Sequence, residues 1–149
     1  MITTRIGIFL GLFLTAAACT SEPEGIDTTM HTTIETRSLS GVLWQVEDND
    51  GGAIMDGSVV TLQISDESGI NGSSGCNRYF GAVAIQGSNF RPDAIGSTRM
   101  ACAPALMEQE QRFMQALETA RSYAFSGDFL LLYDETQTLR LRLVAADEN

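Results

Sequence analysis

Residues 122–144, SYAFSGDFLLLYDETQTLRLRLV, carry the pattern that decides the fold class. Leu139, Leu141 and Leu143 alternate with Arg140 and Arg142, the period of a strand with one buried and one wetted face. Upstream, 129–133 is a short apolar run, and Ser126-Gly127-Asp128 before it is a turn in which glycine takes positive φ without a Cβ clash. Segments 122–125, 129–133 and 138–144 therefore read as an antiparallel three-stranded meander. The residues just before it follow a different period. Over 104–121, Leu106, Phe113, Leu117 and Ala120 fall at helical spacing, with Pro104 near the start and Glu108 and Glu110 expected in the first turn. Met107 and Met114, seven apart, read as a packing stripe against the sheet.

Further upstream the two-residue period returns at Val42, Trp44 and Val46 and at Val60, Leu62 and Ile64. Asp50-Gly51-Gly52, Glu67-Ser68-Gly69 and Gln86-Gly87-Ser88 stand where such strands must reverse. Short strands and tight turns predict a mainly β fold: a small antiparallel β-barrel-like domain with a single helix packed across it. If Trp44, Phe80, Phe113 and Phe129 fill its interior there is no room for a guest molecule, whereas small residues inside would leave a cavity.

The chain has 149 residues, 44% of them apolar, which is enough for one domain. Nine arginines, no lysine and 19 acidic residues give a net charge of -10. The acids run from Glu22 to Glu148 with no compensating arginine cluster, which argues against nucleic acid as a partner.

The N-terminus reads as an address. One basic residue, Arg5, precedes the apolar stretch IGIFLGLFL at 6–14, and TAAA at 15–18 leads to Cys19. The apolar run at 6–18 is too short for an ordinary membrane span. This order resembles a bacterial lipoprotein signal, which implies cleavage before Cys19 and lipidation of its thiol. Residues 1–18 are then a signal peptide, 19–37 a flexible acidic, Thr-rich stalk and 38–149 the folded domain. Two or three acyl chains hold such a protein at a bilayer durably. It is expected in the cell envelope, facing the periplasm. Thr20 and Ser21 after the cysteine favour the outer membrane over the inner, and the anchor is the only membrane contact expected.

Cys76 and Cys102 remain. An isolated pair in an oxidising compartment reads as a disulfide. A metal site lacks ligands, and a catalytic thiol lacks a base, since the only histidine, His31, lies in the stalk. Asp48, Asp50 and Asp56 lack the spacing of a calcium loop and read as a solvated hairpin. Glu108 and Glu110, two apart on a helix, do not converge as an acid and base pair would. No catalytic residues, metal or cofactor are expected.

Three ordered motifs carry a resemblance. Ser74-Gly75-Cys76-Asn77-Arg78-Tyr79-Phe80-Gly81, then Ser97-Thr98-Arg99-Met100-Ala101-Cys102, then Met107-Glu108-Gln109-Glu110 with Phe113 and Leu117 are similar to the META domain of HslJ-like envelope proteins. The similarity spans about residues 40–144 and includes Trp44. It implies an antiparallel barrel with one helix, often on a lipoprotein, associations with stress, motility and secretion, and no established catalytic activity. Two uses of the signature residues follow. Gly75, Asn77 and Gly81 suit a tight turn beside the disulfide, and Arg78 and Tyr79, joined by Thr98, Arg99 and Met100, suit a recognition surface. The expected function is a non-enzymatic envelope lipoprotein, a monomer, working through an envelope protein partner in stress tolerance or envelope maintenance. The alternative is a periplasmic barrel that binds a small apolar ligand.

Overall fold

A computed structural model of the chain describes residues 37–146. The expectations for the signal peptide, Cys19 and stalk residues 20–36 lie outside the described residues.

Nine strands and one helix follow in the order β1 (Leu43–Asn49), β2 (Gly52–Ala53), β3 (Thr61–Ile64), β4 (Gly69–Ser73), β5 (Arg78–Gln86), β6 (Asn89–Ser97), α1 (Pro104–Thr119), β7 (Ser122–Ser126), β8 (Phe129–Tyr133) and β9 (Leu139–Ala145). All pairings are antiparallel. Apart from the short β2, which pairs only with the end of β1, each strand pairs with two neighbours, and β9 returns to β1 from Trp44↔Ala145 to Asn49↔Leu141. The sheet thereby closes into a barrel-like ring, which removes most of its free edges. The seam between β6 and β7 is the short one. It consists of Asn89↔Ser122 and backbone bonds from Phe90 N to Arg121 O (3.0 Å) and from Tyr123 N to Ser88 O (2.9 Å). Past it, Pro92 lies two residues beyond Phe90, so by strand alternation its nitrogen points to the side on which Phe90 meets Arg121, beyond the last bond of the seam. Proline has no N–H to leave unpaired there, which makes it suited to a strand edge.

The turns at Gly51, Gly87 and Gly127 are as the glycines predict, but between β3 and β4 the positive φ, 64°, falls on Ser68 and Gly69 already belongs to the strand. Asp50 and Gly51 both have positive φ, 57° and 78°, the pairing a two-residue hairpin needs between right-twisted strands. Asp48 Oδ1 accepts the Gly51 N–H, and Asp50 pairs with Arg140 at 3.1 Å, so two of the loop carboxylates serve the turn and its neighbour. Arg142 pairs with Glu47 at 3.6 Å and lies over the Phe129 ring. Both arginines of β9 thus find acids on the outer face, as the alternation predicts. At the β8–β9 turn the Asp134 carboxylate accepts the Thr136 hydroxyl and the Thr138 amide, and these, with Arg140 nearby, hold it below the usual carboxylate range.

Inward positions build one core. Trp44, Val46, Leu62, Ile64, Ile70, Tyr79, Phe90, Leu130, Leu132, Leu141 and Leu143 are all essentially inaccessible, and α1 adds Phe113, Ala116 and Leu117 from one face. Trp44 Nε1 donates to Leu39 O at 3.2 Å, so the segment before β1 folds over that end of the ring. Five expectations need correction. Phe80 is 62% exposed and Phe129 lies half-buried at the ring's outside, so neither fills the interior; Tyr79 and Phe90 take that place. Met114 packs on the core whereas Met107 faces outward, because a seven-residue step drifts about 20° around a straight helix. Glu108 and Glu110 fall in the second turn of α1, since Pro104 starts the helix. The helix ends at Thr119, two residues early, where the Arg121 guanidinium caps Glu118 O and Ala120 O. Finally, Arg37 belongs to the fold and not to the stalk: it bonds Gly127 O and Asp128 Oδ1 on the β7–β8 turn.

Candidate functional site

The turn 74–77 between β4 and β5 sits at the end of the ring opposite the one where Arg37 enters, since β4 runs away from the start of β1. Its centre is Asn77, 2% exposed, and every polar atom of that residue is bonded. Backbone N and Nδ2 donate to the Glu110 carboxylate at 3.0–3.1 Å. Oδ1 accepts the Thr98 hydroxyl at 2.8 Å and the Met100 amide at 2.7 Å, while the carbonyl accepts both donors of Ser74. One side chain therefore ties the β4–β5 turn, the chain after β6 and the helix together. Glu110, 33 residues away, is the partner that sequence reasoning missed. Its signal was its place on the helix face, three residues before Phe113, where a carboxylate must turn inward.

Gly75 lets the helix approach. Its φ is +104°, and a Cβ there would stand 2.8 Å from Gln109 Nε2 and Ser58 Oγ. Gln109 is itself a clamp: Oε1 accepts the Met55 amide at 2.7 Å, Nε2 donates to Ser58 Oγ at 2.8 Å, and its carbonyl accepts Asn49 Nδ2 at 3.0 Å. Gly81 permits a second close approach, with Asp93 O and Ile95 Cα each 3.1 Å from where a Cβ would be.

Cys76 and Cys102 form the disulfide, with Cα atoms 6.2 Å apart. It pins the turn to the segment entering α1. Closing a loop of 26 residues contributes about 3 kcal/mol in the chain-entropy description. The Cys76→Ser/Cys102→Ser variant is expected to lose that amount in urea unfolding, and wild-type protein in reductant should fall to the same midpoint. Equal midpoints with and without reductant would remove the disulfide from the account.

The remaining signature residues separate into two layers by the two-residue period of β5. Tyr79 is 1% exposed, packs on Phe113 at 5.3 Å between ring centres and donates its hydroxyl to Thr61 O at 2.8 Å. Burial pushes that hydroxyl's pKa far up. Tyr79 is therefore not a surface group, and the expectation that it serves recognition beside Arg78 is corrected. The same correction applies to the Thr98 hydroxyl, which donates to Asn77 and accepts the Arg78 amide at 3.2 Å, whereas Asn77 holds the turn as its residue type suggests. Pointing the other way are Arg78 and Phe80, with Arg99 and Met100 beyond β6. Arg78 marks the outward phase, so Phe80, two residues on, shares its face. That reading was available in the sequence.

The sequence profile of the META domain family matches residues 37–147, three quarters of the chain and all of the described fold. The chain belongs to the META domain family. Its fold is similar to a solution structure of a protein from Burkholderia xenovorans, with a TM-score of 0.59, 23% identity, and coverage of 74% of this chain and 85% of that one. A second solution structure is similar at a TM-score of 0.60 and 24% identity, covering 74% of this chain and 95% of that one. Identities this low speak for the META fold alone. No curated protein matches the chain. Within this META domain the geometry assigns Gly75, Asn77, Tyr79, Gly81, Thr98 and the cysteines to holding the turn, and leaves Arg78, Phe80, Arg99 and Met100 outside it.

Proposed function

We propose that this META-domain chain is a non-enzymatic lipoprotein of the bacterial cell envelope. It is anchored through Cys19, faces the periplasm, at the outer membrane in preference to the inner, and acts as a monomer through contacts with an envelope protein in stress tolerance or envelope maintenance. The observation that carries this reading is the division of the signature into a saturated inner layer and an outer layer with nothing to hold. Asn77 and Glu110 are used up in bonding each other and the backbone, whereas Phe80 is 62% and Met100 56% exposed. Exposed aromatic, methionine and arginine side chains on a rigid strand are the composition of protein contact surfaces.

The alternative, an apolar ligand held inside the barrel, is less well supported. Trp44, Tyr79, Phe90 and Phe113 are all under 2% exposed in the centre of the ring, so a guest would have to displace them.

The test is a photo-crosslinking amino acid placed at Phe80 in the full chain in living cells, with the same group at exposed Ala124 on β7 as control. A discrete crosslinked protein from position 80 and none from 124 is the expected result. Cys19→Ser in the same cells should move the chain out of the membrane pellet. Equal or absent crosslinking at the two positions would sink the reading.

A further inference from the structure

The outer layer holds two arginines close together without a carboxylate partner. Among the described residues Arg37, Arg140 and Arg142 each pair with a carboxylate, on Asp128, on Asp50 and Asp134, and on Glu47. Arg78 and Arg99 make no such pair, in a chain of net charge -10; nor do Arg91 near the other end of β6, Arg112 beside Gly52, or Arg121, whose guanidinium bonds the end of α1, but these three stand apart from one another. Arg78 and Arg99 come together through the backbone: Arg78 O accepts the Thr98 amide at 2.9 Å, and Arg99 is the next residue. Of the acids near it, Asp93 opposite Ala82 accepts the Ala94 amide at 2.9 Å, and the Glu110 carboxylate is taken up by Asn77 inside the turn.

Beside the two cations stands Phe80. It is 62% exposed, and its ring lies on Gly96 of the adjacent strand, where a Cβ would come within 3.3 Å of Cζ. A side chain larger than hydrogen at Gly96 would lift the ring, so the glycine keeps the phenylalanine flat and pre-placed. Met100 is fixed at its backbone by Asn77 and leaves its side chain 56% exposed. A rigid aromatic, a flexible thioether and two uncompensated guanidiniums make a surface that water solvates poorly at its centre and that attracts negative charge at its rim.

We propose that this face docks an acidic polypeptide segment, with carboxylates reaching Arg78 and Arg99 and an apolar side chain of the same segment against Phe80. The proposal rests on the protein-contact reading above and names the chemistry of the partner. Charge complementarity sets it: guanidiniums bind carboxylates through paired N–H donors, and a desolvated aromatic anchor beside them gives the contact its lifetime. Because the body of the protein repels acidic chains, two neighbouring arginines beside an exposed aromatic favour this face over the isolated Arg91 and Arg112.

The test uses the full chain in detergent and dye-labelled peptides followed by fluorescence anisotropy. One peptide consists of glutamates around a single phenylalanine; its counterparts replace glutamate by glutamine or by lysine. Saturable binding of the glutamate peptide is expected, about tenfold weaker for the glutamine peptide and absent for the lysine one. Arg78→Gln/Arg99→Gln should weaken it about tenfold and Phe80→Ser by a similar factor, with the melting midpoint unchanged. Arg91→Gln, an exposed arginine at the far end of the same strand pair, should leave it unchanged. Absence of saturable binding, glutamine-peptide binding within twofold, or an Arg91→Gln loss equal to that of the double variant would each overturn the proposal. A single-stranded oligonucleotide binding more tightly than the peptide would overturn it too, as bare polyanion attraction. Crosslinks from position 80 in cells alongside any of these failures would leave the protein-contact reading standing and reject only the acidic partner.

Discussion

Asn77→Ala is expected to destabilise the fold by about 3–5 kcal/mol, the range for stranding a buried charged group and its neighbours without partners. The loss has several parts. The Glu110 carboxylate, 8% exposed, would lose both side-chain N–H contacts from Nδ2 and keep only the backbone amide of residue 77. Thr98 Oγ1 and the Met100 amide would lose their shared acceptor. For a domain of this size the melting midpoint should fall by roughly 12–20 °C, read by circular dichroism. Glu110→Ala alone should cost less, because the Asn77 amide it strands is neutral. The two changes together should cost less than their sum, since each removes the same contact. Additivity within error would mean that the pair is not coupled and that the Asn77 role described above is wrong.

The second large effect is steric. Gly72 faces inward on β4, and a Cβ there would lie 2.1 Å from Thr61 O and 2.9 Å from the Tyr79 hydroxyl. Neither neighbour is free to move: the carbonyl is backbone of β3 and accepts the Tyr79 hydroxyl, which crosses the glycine to reach it. Gly72→Ala should therefore destabilise by about 3 kcal/mol or more, at the upper end of overpacking, and open the seam between β3 and β4. Gly87→Ala is the control. That glycine sits at a hairpin tip with φ +58° and nothing within 4 Å of its Cβ, so only conformational strain of about 1 kcal/mol is expected. Tyr79→Phe removes the hydroxyl and one hydrogen bond, about 1 kcal/mol. Combined with Gly72→Ala it should not rescue, because the clash with the Thr61 carbonyl remains. A Gly72→Ala loss no larger than that of Gly87→Ala would contradict the register of the two strands.

Local patterns in this chain carried far. Val60, Leu62 and Ile64 on one side of a strand, Leu141 and Leu143 on one side of another, and the Asp50-Gly51 and Gly127 turns are all read from neighbours in sequence, because strand alternation and positive φ are properties of a few consecutive residues. The helix and its register were legible for the same reason, as were the outward arginines of β9. Leu139 shows the limit: it shares the phase of Leu141, yet is 38% exposed, because the ladder between β8 and β9 slips between Leu132 and Tyr133. A bulge is a relation between two strands and leaves no mark in either one alone.

The functional surface depended on relations of that longer kind. Periodicity puts Tyr79 and Phe80 on opposite faces, and Arg78 labels the outward one; what encloses Tyr79 and what is left beside Phe80 is settled when β5 takes its place between β4 and β6 and the ring closes. The pairing of Asn77 with Glu110 joins residues 33 apart, and the arginines acquire meaning only once others are seen to be paired. By itself, then, the sequence determined the element types, the turns, the cysteine pair and the family, since these rest on short-range chemistry. Which residues form the inner layer and which are left to meet a partner was decided by the tertiary structure, because burial and pairing are set by segments that the chain brings together only on closing.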